Sequence, residues 1–297
     1  MNDRDSGRAD LALYTRAAHK SSATIIREYS TSFGAASALL HRSLRPAIEN
    51  IYGLVRIADE VVDGAAAQAG LDVDSQLALL DQLEHETNAA MAAGYSTNVI
   101  VHSFADTARA VGIDAALTEP FFASMRRDLD PAPFTTEQVR EYIYGSAEVV
   151  GLMCLRVFLH GTGCSPQQRT RLEEGARRLG AAFQKINFVR DLSVDWTQLH
   201  RNYFPEIDPG SLTEIEKLLL LDDIDADLEA AGRVIPQLPA RCRVAVSAAH
   251  ALFAELNDRI RMTPASELLS TRVRVPGVVK LRIVLAARAR HRGLSVS

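Results

Sequence analysis

Apolar residues along this chain recur at three- and four-residue steps, and alternation at period two is scarce. That spacing is the mark of amphipathic helices rather than strands. It predicts helices near 8–28, 46–64, 74–93, 98–112, 117–128, 135–160, 166–197, 212–234, 239–262 and 275–290. The breaks carry the expected chemistry. Arg45-Pro46 opens one helix, while Asp130-Pro131-Ala132-Pro133 and Asp208-Pro209-Gly210 each separate two more. No repeat at a fixed period and no low-complexity linker interrupts the pattern. The two longest helices, 135–160 and 166–197, sit mid-chain and are expected at the centre of a single all-α domain spanning 1–297, with 1–8 disordered.

Composition narrows the picture. At 297 residues, roughly three quarters of the unfolded chain's surface can be buried, so a sizeable core needs no disulfides. Lys and Arg number 33 against 37 Asp and Glu, a net charge of −4 that gives no reason to expect nucleic acid as a partner. The cysteines Cys154, Cys164 and Cys242 form no CxxC pair, which suits a reducing compartment and argues against zinc. The polar start MNDRDSGRAD is unlike a secretion signal. The best apolar run, Val149 to Leu159, is broken by Arg156 and falls short of the ~18 residues that span a bilayer. The expectation is a soluble, cytoplasmic protein, at most peripheral to a membrane.

Candidate chemistry lies in two acidic stripes. Tyr52, Arg56, Asp59 and Asp63 fall on one face of their helix, and Gln184, Asn187, Asp191 and Asp195 on one face of theirs. Like charges at i and i+4 weaken an isolated helix by a few tenths of a kcal/mol. A solvated surface would tolerate that, and DxxxD often arises by chance. Both stripes, however, also carry uncharged polar groups and are flanked by apolar faces. Hard oxygen donors of this kind suit Mg²⁺, with Mn²⁺ as a substitute, and no Glu-x-x-His pair points to a di-iron bundle. If the stripes face each other, their charges share one cavity, which is costly unless cations fill it. Metals there would recruit an anion rich in oxygens, and a diphosphate is the natural one.

At this point the ordered motifs resemble the squalene/phytoene synthase family, and within it the bacterial phytoene synthases. They are Tyr29-Ser-Thr-Ser-Phe33, Tyr52-x3-Arg56-x2-Asp59-x3-Asp63, Tyr142-x-Tyr144 with Val150-Gly151-x-Met153, Gln184-x2-Asn187-x2-Arg190-Asp191-x3-Asp195, Arg201-x-Tyr203-Phe204-Pro205 and Arg272-Val-Arg-Val275. The resemblance implies an isoprenoid-synthase-type helical bundle with a central cavity, its two aspartate helices facing one another across the mouth. It implies Asp59, Asp63, Asn187, Asp191 and Asp195 as metal positions. Arg56, Arg190 and Arg272 would contact phosphate oxygens, with Gln184, Ser30 and Ser32 close by. Tyr52, Tyr142 and Tyr203 match active-site tyrosines. Two positions depart from the pattern: Phe253 replaces a frequent tyrosine, and Glu148 stands where a small residue is usual.

The implied reaction joins two geranylgeranyl diphosphates head to head, through a cyclopropyl-carbinyl diphosphate, to phytoene. Prenyl diphosphates are then the partners, and no NADPH is expected. A C30 squalene or dehydrosqualene synthase, a terpene cyclase and a non-catalytic assembly protein of the same fold are the rivals. Intact aspartate pairs weigh against the last. Tyr142, Ser146, Val149 and Met153 share a stripe, and Gly145, Ser146 and Ala147 are small enough either to let a prenyl chain pass or to let two helices meet. Arg201 to Pro205 is expected to form a flap. Residues 268–297 carry Arg272, Arg274, Lys280, Arg282, Arg288, Arg290 and Arg292 and no acid, which suits either a solvated, ion-paired surface or peripheral contact with an anionic membrane. Nothing in the sequence fixes an oligomeric state.

Overall fold

The computed structural model describes residues 3–197 and 201–292, apart from the side chains of 3–8, 31, 32, 197, 291 and 292. Among the described residues every regular element is helical. The chain divides into two compact units, Met1–Leu129 and Asp130–Ser297, at the Asp130-Pro131 break.

The first unit holds α1 (Asp3–Tyr29), α2 (Thr31–Ser37), α3 (Arg45–Val62), α4 (Ala65–Gln68), α5 (Val73–Ala93), α6 (Val99–Val111) and α7 (Ala115–Asp128). α1 thus starts within the stretch expected to be disordered. It packs against α3 and α6, burying Ala18, Ser22 and Ile26 with Ile51, Leu54, Ala58, Val101, Phe104 and Ala105. Several polar groups in this core are paired, although Asn50 Oδ1 and Thr118 Oγ1 are buried without a partner among the described residues. The Ser22 and Ser103 hydroxyls lie 2.7 Å apart, and Asn50 donates to Thr107 at 2.9 Å, so burial leaves these groups hydrogen-bonded. At Gly53 α3 lies close against α1: a Cβ there would meet Ser22 Oγ at 3.0 Å.

Capping sets the element ends. Asp72 and Asn98 accept from backbone N–H groups at the starts of α5 and α6, and Gly94 and Gly112 end those helices at φ 81° and 77°. Arg109 closes the end of α5 by donating to the carbonyls of Met91 and Ala92.

The second unit is built around α10 (Pro166–Thr197), 32 residues long and spanning the predicted 166–197. Before it come α8 (Thr136–Ile143), a π turn (Tyr144–Glu148) and α9 (Val149–Leu159). The predicted 135–160 helix is therefore one path with a wider turn inside it, where the Val149 N–H reaches back to the Tyr144 carbonyl. After α10 come α11 (Glu214–Val234), α12 (Ala240–Met262), α13 (Ala265–Leu268) and α14 (Gly277–Arg292). Ile186, Val189, Leu221, Ile224, Phe253, Leu256, Ile260 and Val273 form the core between α10, α11 and α12.

Close approach of backbones explains the small residues here. A Cβ on Gly151 would lie 2.6 Å from the Ala176 carbonyl oxygen, and one on Gly180 would lie 2.6 Å from that of Ala147. Of the stretch Gly145, Ser146 and Ala147, for which the sequence left both a prenyl path and a helix–helix contact open, Ala147 presents its backbone to Gly180 of α10. Thr136–Leu159 is long and apolar enough to cross a membrane by length and composition, which the sequence reading did not anticipate, but half of its most apolar window is buried within the protein.

Lys217 is fully buried without being an unpaired charge. Its ammonium donates to Glu214 at 2.7 Å and to the Arg261 and Thr263 carbonyls at 3.2 and 2.6 Å, closing the end of α12.

Candidate active site

In the first unit the predicted residues gather on α3 and at the junction of α1 and α2. Ser30 caps α2, accepting from the Phe33 N–H at 3.0 Å, and its hydroxyl also hydrogen-bonds Tyr52. The side chain of Ser32 lies outside the described residues. The Arg56 guanidinium lies 4.4 Å from the centre of the Tyr29 ring and donates to Glu60. Glu60 in turn accepts from the Ala65 N–H at 3.0 Å, holding the turn after α3. Asp63 ends α3, its N–H donating to the Asp59 carbonyl at 2.8 Å.

Electrostatics single out Asp59. Protein crowding around its carboxyl strips away water and pushes its pKa up to about 7. Arg56 pulls the other way, while Asp63 and Glu60 raise it further. Accessible surface makes Asp59 only half-buried, so a solvent path to the carboxyl remains. Tyr52 is also raised, chiefly by burial, against the pull of Arg56 and the Ser30 hydrogen bond.

In the second unit Gln184, Asn187, Asp191 and Asp195 follow one face of α10, all half-buried. Arg190 Nε donates to Asp191 Oδ1 at 3.0 Å and its Nη2 to Oδ2. Arg272, from the segment after α13, donates to the same two oxygens at 2.7 and 3.3 Å. One carboxylate thus answers two guanidiniums in fork geometry. One turn before it, Asn187 Oδ1 is buried with no hydrogen-bond partner.

The expected tyrosines Tyr142 and Tyr203 lie in an aromatic cluster with Phe134 and Phe188. Tyr203 stacks on Phe188 at 4.0 Å and 7°, and sits 5.2 Å from both Tyr142 and Phe134. The segment expected to be a flap is pinned by this stack and by Asn202, which donates to the Ile207 carbonyl at 2.9 Å. Phe253, at the position departing from the family pattern, stacks on Phe183 with centroids 3.7 Å apart. Glu148 accepts from Arg177 at 2.6 Å.

Sequence reasoning missed Glu60, Phe134 and Phe188. Glu60 stands four residues after Arg56, a helical ion-pair spacing that was available to read. The aromatic partners come from separate elements and carry no local signal.

Among the described residues no three His, Cys, Asp or Glu side chains converge as a ready-made metal cage. Mg²⁺ does not require one, since it takes one or two carboxylates and completes its octahedron with water and substrate phosphate. The donors present are hard oxygens, and the unpartnered Asn187 Oδ1 is an acceptor awaiting a cation or donor. The residues fit such an ion.

The comparisons with known proteins agree on family and fold. The chain is 28% identical over 250 residues to a 15-cis-phytoene synthase of Paracoccus, covering 80% of each chain. It is 30% identical over 256 residues to phytoene synthase 3, chloroplastic, of Zea mays, covering 82% of this chain and 55% of that one. In fold it resembles a dehydrosqualene synthase crystal structure with TM-score 0.78 at 19% identity, covering 95% of this chain and 99% of the other. The squalene/phytoene synthase family model matches residues 26–208, which take in the Asp59–Asp63 and Asp191–Asp195 pairs and leave Arg272 outside. The chain belongs to the squalene/phytoene synthase family and has its isoprenoid-synthase-type helical fold.

Proposed function

We propose that the protein couples two geranylgeranyl diphosphates head to head to give phytoene, without a reductant. The observation that carries this reading is the arrangement on α10. Two guanidiniums converge on Asp191, and one turn away Asn187 presents an oxygen with no partner. Such a set binds a metal–diphosphate pair, with the carboxylate and amide oxygens taking the cation and the arginines taking phosphate oxygens.

Asp59, Asp63, Asn187, Asp191 and Asp195 would hold Mg²⁺, which would supply Lewis-acid stabilisation of a departing diphosphate. Arg56, Arg190 and Arg272 add positive charge where phosphate oxygens become more negative. Ser30 orients a diphosphate by hydrogen bond, and Gln184 stands on the same face as Asn187. Carbon–oxygen cleavage leaves an allylic cation. The second substrate's double bond attacks it, and loss of one proton closes the cyclopropane. A second cleavage and rearrangement, ending in loss of another proton, gives the linear C40 hydrocarbon and a second diphosphate. The aromatic faces of Tyr142 and Tyr203 favour a nearby cation and exclude water.

A C30 reading differs in chain length. Dehydrosqualene formation ends in proton loss too, whereas squalene formation replaces that loss by hydride from NADPH. The likeness to a dehydrosqualene synthase fold keeps this second reading in view. Incubation with farnesyl or geranylgeranyl diphosphate and Mg²⁺, with and without NADPH, followed by hydrocarbon analysis, separates them. Phytoene from the C20 substrate without NADPH is expected; a C30 product as the main hydrocarbon overturns the C20 assignment.

A further inference from the structure

α14 presents two apolar faces, and among the described residues one of them packs on α12 while the other is exposed. Ile283, Val284 and Ala287 turn inward as the helix packs on α12. On the opposite face Val278, Leu281 and Leu285 are 81%, 59% and 54% exposed. At 100° per residue these three occupy a band of about 60°, with Arg288 just beyond one edge and Arg282 just beyond the other. Ala289 is exposed and lies between the Val278 edge of the band and Arg282. Neither flanking arginine is ion-paired among the described residues, although at least ten of the protein's other arginines are: 56, 126, 140, 177, 178, 190, 233, 259, 261 and 272. No acid occurs between Glu267 and the last residue, in a chain whose net charge is −4.

We propose that this face of α14 docks onto an anionic phospholipid surface. The geometry is that of an interfacial helix, with an apolar band that can sink to the acyl boundary and arginines on both shoulders that reach up to headgroup phosphates. Charge decides between occupants. A second copy meeting this face by two-fold symmetry would set arginine against arginine, whereas a bilayer bearing negative headgroups neutralises both shoulders. Glu214, Glu216, Asp222 and Asp223 mark α11 as the acidic side of the same unit, so the cationic face is local rather than general.

The test uses the full chain with vesicles of phosphatidylcholine alone or mixed with phosphatidylglycerol, measured by co-sedimentation at low and high salt. Binding to the anionic vesicles only, screened by salt, is expected. Arg282→Gln with Arg288→Gln should weaken it about 10- to 30-fold, since each basic group near such a surface is worth about 1 kcal/mol. Val278→Ser with Leu281→Ser and Leu285→Ser should weaken it at least as much. Both variants should keep wild-type turnover of a detergent-dispersed prenyl diphosphate. If the triple variant does not fold, the arginine pair carries the test alone. Equal binding of wild type and both variants overturns the proposal, as does absence of wild-type binding. A concentration-dependent dimer abolished by the same substitutions overturns it in favour of a second copy.

Discussion

Arg272 Nε donates to Asp191 Oδ1 at 2.7 Å across 81 residues of sequence. The guanidinium is half-exposed and the carboxylate about one-fifth exposed, so the pair can be remade around a ligand with little rearrangement. Were Asp191 to hold a metal, the same guanidinium would be released from the carboxylate and could serve a phosphate oxygen.

Arg272→Gln should therefore lower kcat/KM by about 10²–10³, the scale of losing one preorganised charge-stabilising donor. Stability should change by no more than about 1 kcal/mol, as expected of an exposed ion pair. Arg272→Lys should not restore activity, because a point charge cannot reproduce the two-pronged contact. Steady-state kinetics with thermal melts of the same preparations checks this; full activity in Arg272→Gln would remove the residue from the site.

Asp59 gives a pH signature in metal-free protein. Its carboxyl titrates near 7 when folded, against 3.8 for the ordinary group, so between those values the folded protein holds a proton that the unfolded chain has lost. Its contribution to stability therefore grows as pH falls through about 7 and disappears as pH rises past it. Asp59→Asn should be more stable than wild type above about pH 7, and the difference should shrink toward pH 4. Saturating Mg²⁺ should narrow the gap by binding the carboxylate form. Melting temperatures across pH 4–9 in chelator and in Mg²⁺ measure it; parallel curves for the two proteins would sink the assignment.

Asp191→Asn should cost about 3–5 kcal/mol in transition-state stabilisation while the helices stay folded, because the amide oxygen is a far weaker metal donor and no longer pairs with two arginines. The apparent Mg²⁺ requirement should rise in parallel. A variant with wild-type kcat at wild-type metal concentration would show that the carboxylate is structural.

Gly151→Ala and Gly180→Ala should each destabilise by about 1–3 kcal/mol, since both would press a methyl group onto a backbone carbonyl oxygen. Bulk at Gly151 is expected to disturb folding before it alters product length. Denaturant melts of the two variants decide this, and wild-type stability in both would mean that α9 and α10 separate easily.

Tyr203→Phe should keep the stack on Phe188 and near-native stability, whereas Tyr203→Ala should lose about 3–5 kcal/mol by emptying an aromatic site. If Tyr203→Phe also loses most turnover, the hydroxyl acts in the reaction; if turnover survives, the ring alone matters.

Long elements were legible because their periodicity repeats many times. The helix predicted over 166–197 runs Pro166–Thr197. Thr31–Ser37, Ala65–Gln68 and Ala265–Leu268 were not predicted, being too short for a face to show. The aspartate stripes were readable for the same reason, as each lies on one helix. Arg272 beside Asp191 was not, because nothing local links positions 81 apart; only the family pattern pointed there. Phe188 under Tyr203 was missed entirely, since an aromatic residue on an apolar face reads as ordinary core.

The π turn at Tyr144–Glu148 has a meaning for how this protein can vary. An i→i+5 bond encloses one residue more than a regular helical turn, so the path from Thr136 to Leu159 carries a residue that a straight helix would not need. Deleting it would turn everything from Val149 onward by about 100° about the helix axis, swinging Val149 and Met153 away from the interior they now fill. The spare residue acts as a phase-setter. It fixes which side of α9 meets α10, so length changes are forbidden here although the sequence around them looks like uninterrupted helix.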